Sequence, residues 1–559
     1  ITEIGANGDV SGGGEINNLG TIMLQKQNNV GGTIGAANGV NKFHNKGSFI
    51  AGGGDVHVTA FDNNSIDAIF QINSGNVLVN SLNNISGKVE INGGELSLLS
   101  GSTTAGSAGT ANTSNAGKLI NNNDQVITVM NQGKIGDINP FDSINNYGIF
   151  NILGQSVVKI NSLVNDHILN NLNTQVQLNI YAQLLVGTNN SSTTGAVTGS
   201  GSSNTIDNKF GTINISSTEN DYGDLSSNNP SALTMLNNYY NQRIEVHNQG
   251  TIGKIAALGE IVNNGEFLAN GGDIIVGNFT NGDSNNHYPG KLIINRGIFK
   301  AGEIINNLGS IDILQAINIL NGDQEGNISG DLSSSHQEQR SNLTNHASQI
   351  INVQTGTIGK HIPIGTVNNS GIINVNNDIK VGDFNNLYGS ILNVSGGISL
   401  VGNINNQGNI NIVNSGGSVA DLSSIDPEHP STLTNSANMI INILNQGTIG
   451  VNNRLGDVNN QGTINANGGN IIIGNLVQGV YANSNSNKNV DLNINSGRVF
   501  VGNVENNKGN SIIIKNSDLS SFSQETHSQL INRGGTIDVE LNGTIGNTSS
   551  YSGLGKVSN

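Results

Sequence analysis

Cysteine does not occur in the 559 residues, so neither a disulfide nor a thiolate metal site is open to the chain, and an exported fold has to be held by packing and backbone hydrogen bonds. Charge is scarce too. Only 11% of residues are charged, too few for a disordered polyelectrolyte despite a formal net charge of −16, so neutral amides and hydroxyls must cover most of the surface. The 23 Lys and Arg form no cluster with interleaved aromatics; the basic stripe that a phosphate backbone requires is missing, which excludes nucleic acid as an expected partner. No apolar run approaches the roughly 18 residues that cross a bilayer as a helix. The opening residues ITEIGANG contain no initiator Met and no signal peptide, and the expectation is a processed or excised portion of a soluble protein.

Glycine, by contrast, fills 76 positions, and hydrophobic residues make up 35%, enough for a narrow core only. A chain this long exceeds one compact core, so several domains or one repeat array is expected. The array is visible. GTIG begins at Gly32, recurs as GKIG at Gly133, and returns as GTIG at Gly250, Gly356, Gly447 and Gly543, a superperiod of about one hundred residues. A second glycine lies fifteen residues after the first in five copies (Gly47, Gly148, Gly265, Gly371, Gly462), each closing an Asn-rich turn such as VNNSG. A third landmark, Asp-Leu-Ser-Ser, starts at Asp224, Asp331, Asp421 and Asp518. These define modules at 32–132, 133–249, 250–355, 356–446 and 447–542, with a partial module at 1–31 and the start of a sixth at 543–559. Since an uncovered last coil exposes apolar surface and unpaired backbone, the natural protein is expected to continue beyond these ends or to have them covered by another subunit.

Stretches such as KLIINRGIFKAGEIINNLGSIDIL alternate at period two, are rich in Ile and Val, and carry Asn-x-Gly corners; no helical period competes. Gly and Asn tolerate positive φ and so supply sharp corners. Few strands are expected to exceed about six residues. Such strands become stable when stacked coil on coil, and the fold class predicted is all-β, a parallel β-helix or solenoid rod with periodic insert loops. At roughly 20 residues per coil and about 4.8 Å per rung, some 28 coils would give a rod on the order of 130 Å. Equivalent asparagines stacked at corners are expected to form amide ladders and to bind corner backbone groups; glycan recognition is the weaker alternative for these residues.

Chemistry was sought along the same repeat. Asp55, Asp273 and Asp378 occupy one cassette position, with Asn470 in the next copy; their partial likeness to Gly-rich calcium nonapeptides makes them candidate calcium ligands, with turn capping the preferred role and no cofactor expected. The ten histidines show no HExxH spacing, no G-x-S-x-G elbow occurs, and the GxG strings lack a nucleotide-site context, so no enzyme activity is expected. The Ser/Thr/Gly tract SSTTGAVTGSGSSNT of the second module reads as a loop. After Asp-Leu-Ser-Ser, each of the last three copies adds Glu at +7 and Leu at +12: Asp331, Glu338 and Leu343; Asp421, Glu428 and Leu433; Asp518, Glu525 and Leu530. A loop or short helix is predicted there, standing off the rod once per module. It is either a lid with its leucine packed inward or one of a row of interaction sites, and Asp426-Pro427 resembles a helix start.

Rungs such as VNNQGTINANGGNIIIGN and VNNSGIINVNN resemble the passenger regions of large Gram-negative surface proteins: autotransporter adhesins, rickettsial outer-membrane surface antigens and filamentous-haemagglutinin-like proteins. The resemblance spans nearly the whole chain and rests on NNxG-Ile motifs. It implies an exported, right-handed β-helical rod displayed on the bacterial cell surface, although the chain carries no outer-membrane barrel domain and no RGD tripeptide. The function expected is adhesion to host or neighbouring cells together with self-association. A self-assembling filament or surface-layer subunit is the alternative, and a polysaccharide-active enzyme the less favoured one.

Overall fold

The computed structural model of the chain describes all residues except 1, 5–8, 11–13, 28–29, 36–38, 100–116, 166–176, 181, 187–204, 218–221, 229–233, 315–329, 415–418, 480–489, 522–527, 547–555 and 559. Contacts divide it into two units, Ile1–Phe279 and Thr280–Asn559, each of which is a parallel β-solenoid. No helix occurs among the described residues. The Ser/Thr/Gly tract of the second module lies outside them, apart from its last residue.

One coil of the second unit shows why the sequence winds. The strand Ile364–Asn369 is the first side and Ile372–Val375 the second. The third side opens Ile379–Asn386, which runs on into the first side of the next coil. Each side pairs in parallel with its equivalent one coil later: Asn369 with Asn386, Ile373 with Leu392, Ile379 with Ser399. Burial alternates strictly along Ile372–Val375 and Ile391–Val394, so Ile373, Val375, Leu392 and Val394 fill the interior while Asn374 and Asn393 point out. In the first unit the spine is partly aromatic: Phe43, Phe61 and Phe70 stack at centroid separations of 4.8 and 4.3 Å, all fully buried.

The expected amide ladder is present, and it lies inside. In the first unit Asn18, Asn45, Asn63 and Asn84 each donate from Nδ2 to the next asparagine's Oδ1 at 2.8–2.9 Å, and the column continues through Asn121 to Asn263. The second unit repeats it from Asn281 to Asn460, ending on Gln478 Oε1. The remaining amide hydrogen crosses the corner, as when Asn369 Nδ2 reaches the Ile391 carbonyl at 3.1 Å, while Gly371 N donates back to Asn369 Oδ1 at 3.1 Å. These asparagines are therefore buried with their hydrogen bonds satisfied.

Two expectations change. Successive ladder positions are 17 to 43 residues apart rather than a uniform 20. Modules 4 and 5 each place four residues at the ladder position (Asn369, Asn386, Asn406, Asn435; then Asn460, Gln478, Asn506, Asn532), the hydrogen-bonded column breaking between Gln478 and Asn506, so a module is four coils of about 25 residues. Strands also run longer than six residues. Ile298–Asn306 and Asn470–Gln478 run nine residues each, and in Ser48–Asn92 strand pairing continues for 45 residues across corners that include left-handed Gly54 and Gly75. The nine-residue strands pass without a break through the corner from third to first side, which extended glycine turns: a Cβ on Gly382 would collide with the Gly365 carbonyl of the coil below, and Gly402 N donates to Gly382 O at 2.5 Å.

Candidate functional site

The insert after Asp-Leu-Ser-Ser sits at this third-to-first corner, and wherever that tetrapeptide occurs its aspartate accepts from the threonine of the following GTIG. Asp331–Ser334 and Thr357–Ile358 are consecutive rungs of the third side, Asp331 opposite Thr357. Asp224 faces Thr251 and Asp421 faces Thr448 in the same way. The two landmarks that stand apart in sequence thus touch. The threonine hydroxyl donates to the aspartate Oδ1 at 2.8 Å in the Asp331 copy and 2.7 Å in the Asp421 copy. The second serine-side donor, Ser333 or Ser423, reaches Oδ2 at 2.5 Å. Backbone N–H groups complete the shell, from Lys360 (3.2 Å) and His361 (3.1 Å) to Asp331 and from Val451 (3.3 Å) and Asn452 (3.0 Å) to Asp421. The carboxylate thus shapes the turn that follows GTIG. That turn needs its closing glycine, because Gly359 and Gly450 take φ of +71° and +73°.

Where the first module meets the second, both partners are substituted. Glu95 replaces the aspartate, pairing with Lys134 in GKIG and accepting from Ile138 N at 2.6 Å. Lys134 replaces the threonine and, with Lys159, holds Asp137 at 2.6 Å from each ammonium. The Lys134 hydrogen bond, then that of Lys159, keeps the Asp137 carboxyl below the usual carboxylate range, and Asp137 in turn raises Lys134.

In the two copies whose inserts are described, residues 335–340 and 425–430, the insert is a short loop without a helix. Ser334 and Ser341, seven residues apart, clasp it: their hydroxyls are 2.8 Å apart and Ser341 N donates to Ser334 Oγ at 2.9 Å. Ser424 and Ser431 repeat the clasp at 2.9 Å, Ser521 and Ser528 at 2.7 Å. Asp426 does cap a turn, accepting from Glu428 N at 2.9 Å and from His429 Nδ1 at 3.0 Å, bonds that lower its pKa, the Glu428 amide most. Of the residues singled out in sequence, Asp331 and Asp421 are buried in the turn anchor, and Asp518 holds the same position. Leu343, Leu433 and Leu530 are buried rungs of the first side, Leu343 between Ile304 and Val367. Glu338 and Glu428 are exposed on the loops, and Glu525 lies outside the described residues. Beside the Ile425–Pro430 loop is an open hollow of about 560 Å³ whose lining includes Asp383, Asn403, Glu428 and His429.

Comparison with family models, curated proteins and solved structures finds no match. Among the candidate calcium ligands, Asp378 Oδ1 accepts from Ile398 N of the following coil at 2.8 Å, Asp55 accepts from Asn76 at 3.1 Å, and Asp273 is exposed. Among the described residues, no three His, Asp or Glu side chains come together in a way that would hold a metal ion.

Sequence reading missed a second amide column, outside the solenoid on its second side. In the second unit Asn352 donates to Asp312 at 2.7 Å, and Asn374, Asn393, Asn411, Asn442, Asn465 and Asn493 each donate to the residue one coil before at 2.8–2.9 Å. The signal was there: each is the third residue of an Ile-x-Asn-type strand, where alternation sends the side chain outward.

Proposed function

We propose that the chain is an extracellular bacterial surface protein whose solenoid serves adhesion and self-association. One observation carries this reading: stacked coils present a clasped loop corner in each of the last three full modules and an amide column on a neighbouring side, repeated where a spacer with many equivalent contacts would need them. Affinity in such a system comes from repetition, because linked weak contacts raise effective concentration. The likeness of the NNxG-Ile rungs to Gram-negative passenger regions supports the same placement at the cell surface. A second reading, a filament or surface-layer subunit packing through its insert loops, draws on the exposed Glu338, Glu428 and His429 at that corner; heterologous contacts that do not close build fibres. To test the first reading, the chain is displayed on a non-adherent bacterium, and clumping and attachment to cultured cells are scored. Gain of either supports it, and gain of neither would overturn it. Ordered fibres of purified protein in electron micrographs would favour the second.

A further inference from the structure

The outer amide column of the second unit runs through a stretch from which charge has been removed. The second-side strands at residues 350–354, 372–376, 391–395, 409–413, 440–444 and 463–467 contain no Asp, Glu, Lys or Arg. The coil before them carries Asp312 in the column and the coil after them carries Asp491 in the neighbouring row. Within these limits isoleucines flank the amides, Ile350 and Ile440 being 37% and 39% exposed, and a shallow groove of about 470 Å³ follows Asn352, Asn374, Asn393 and Asn411. Each of these amides spends one N–H and one lone pair along the column and turns the other pair outward.

We propose that this uncharged window is a lateral self-association face whose occupant is the same window of a second copy of the chain. The proposal rests on the surface-assembly reading above, but assigns the contact to the amide face and not to the insert loops. The charge pattern selects the occupant. Two chains of net charge −16 repel over a Debye length of about 8 Å, and the window is where two copies can close to contact without setting carboxylates against each other. Once there, rows of Asn beside rows of Ile, at a common rung spacing, can interdigitate and share amide hydrogen bonds as stacked strand faces do. A neutral sugar chain, the competing occupant, would find no aromatic ring in the window to stack on.

Size sets the strength. Six rungs about 4.8 Å apart and five residues wide make a patch of roughly 25 by 15 Å, so a pair would bury on the order of 800 Å², below the ~1,000 Å² of a stable specific complex. The contact is weak for one pair and effective for many copies tethered on one surface.

The absence of cysteine makes the test direct. Val413→Cys lies near the middle of the window, and Gln407→Cys lies on an exposed corner of the same coil. In the full chain treated with a short bis-maleimide, Val413→Cys is expected to form covalent dimers at least about tenfold faster than Gln407→Cys. The pair Asn376→Glu with Val413→Glu, melting within about 2 °C of the parent, should abolish the concentration-dependent rise in sedimentation coefficient. Equal trapping at both positions, or association unchanged by the two glutamates, would overturn the face. So would a chain that stays monomeric while binding a neutral glucan through the window. Clumping of displaying bacteria that survives both glutamates would reject the face and leave the surface reading standing. No clumping or attachment by the parent chain would reject the surface reading, while trapping in solution still decides the face.

Discussion

At the scale of single residues, the paired asparagines of the VNN corners divide by strand alternation. Val367 points in, Asn368 out, Asn369 in. Asn368 accepts one bond from Asn385 on the outside, at 2.9 Å. Asn369 binds Asn345, Asn386, the Ile391 carbonyl and Gly371 N in a buried setting. A hydrogen bond kept in solvent contributes little, whereas stranded buried partners cost about 1–3 kcal/mol each, partly relieved by relaxation. Asn369→Ala should therefore lower stability by about 2–4 kcal/mol and Asn368→Ala by less than about 0.5 kcal/mol, as read from urea denaturation followed by circular dichroism. Equal losses would refute the internal ladder. That asparagines stack was legible in the sequence; which of each pair stacks inside needed the alternation to be carried through the corner.

At the scale of the element, the turn after GTIG depends on a carboxylate contributed by the coil below. Four donors converge on Asp421, two of them the backbone N–H groups of Val451 and Asn452 in the turn. Asp421→Ala should cost about 2–4 kcal/mol, since buried donors left without an acceptor cost about 1–3 kcal/mol each, partly relieved by relaxation, while Glu428→Ala on the neighbouring loop should stay within about 0.5 kcal/mol. Thermal denaturation of the two variants checks this, and a tolerated Asp421→Ala would show that the turn is held by its glycine alone. Sequence reading placed Asp-Leu-Ser-Ser and GTIG as separate landmarks because a solenoid brings together residues about 26 apart that share no local pattern. It missed Glu95–Leu98 as the same element because both the acid and the last serine are replaced. It also drew the insert too long: from Asn342 the chain is already a strand paired with Glu303–Asn306, and the loop proper is 335–340.

At the scale of the whole molecule, the repeat was legible because coil stacking forces the same residue types back to the same corner, while the coil count was not, because successive rungs lie anywhere from 17 to 43 residues apart. The same architecture governs how stability is distributed. Strand pairing joins each coil to the one before and the one after, as Ile373 is joined to Ile351 and Leu392, so a solenoid behaves as a chain of nearest-neighbour terms. Damage should then stay local. In native-state hydrogen exchange, Asn369→Ala is expected to speed exchange at least about tenfold in its own strand and in Asn342–Asn345 and Ile379–Asn386, the coils that lose ladder partners, since about 1.4 kcal/mol of lost local stability is a factor of ten. Ser511–Lys515, several coils away in the same unit, should keep its protection within about twofold. A uniform rise across the unit would mean that its coils unfold together, and that the contacts joining them outweigh the independence their repetition implies.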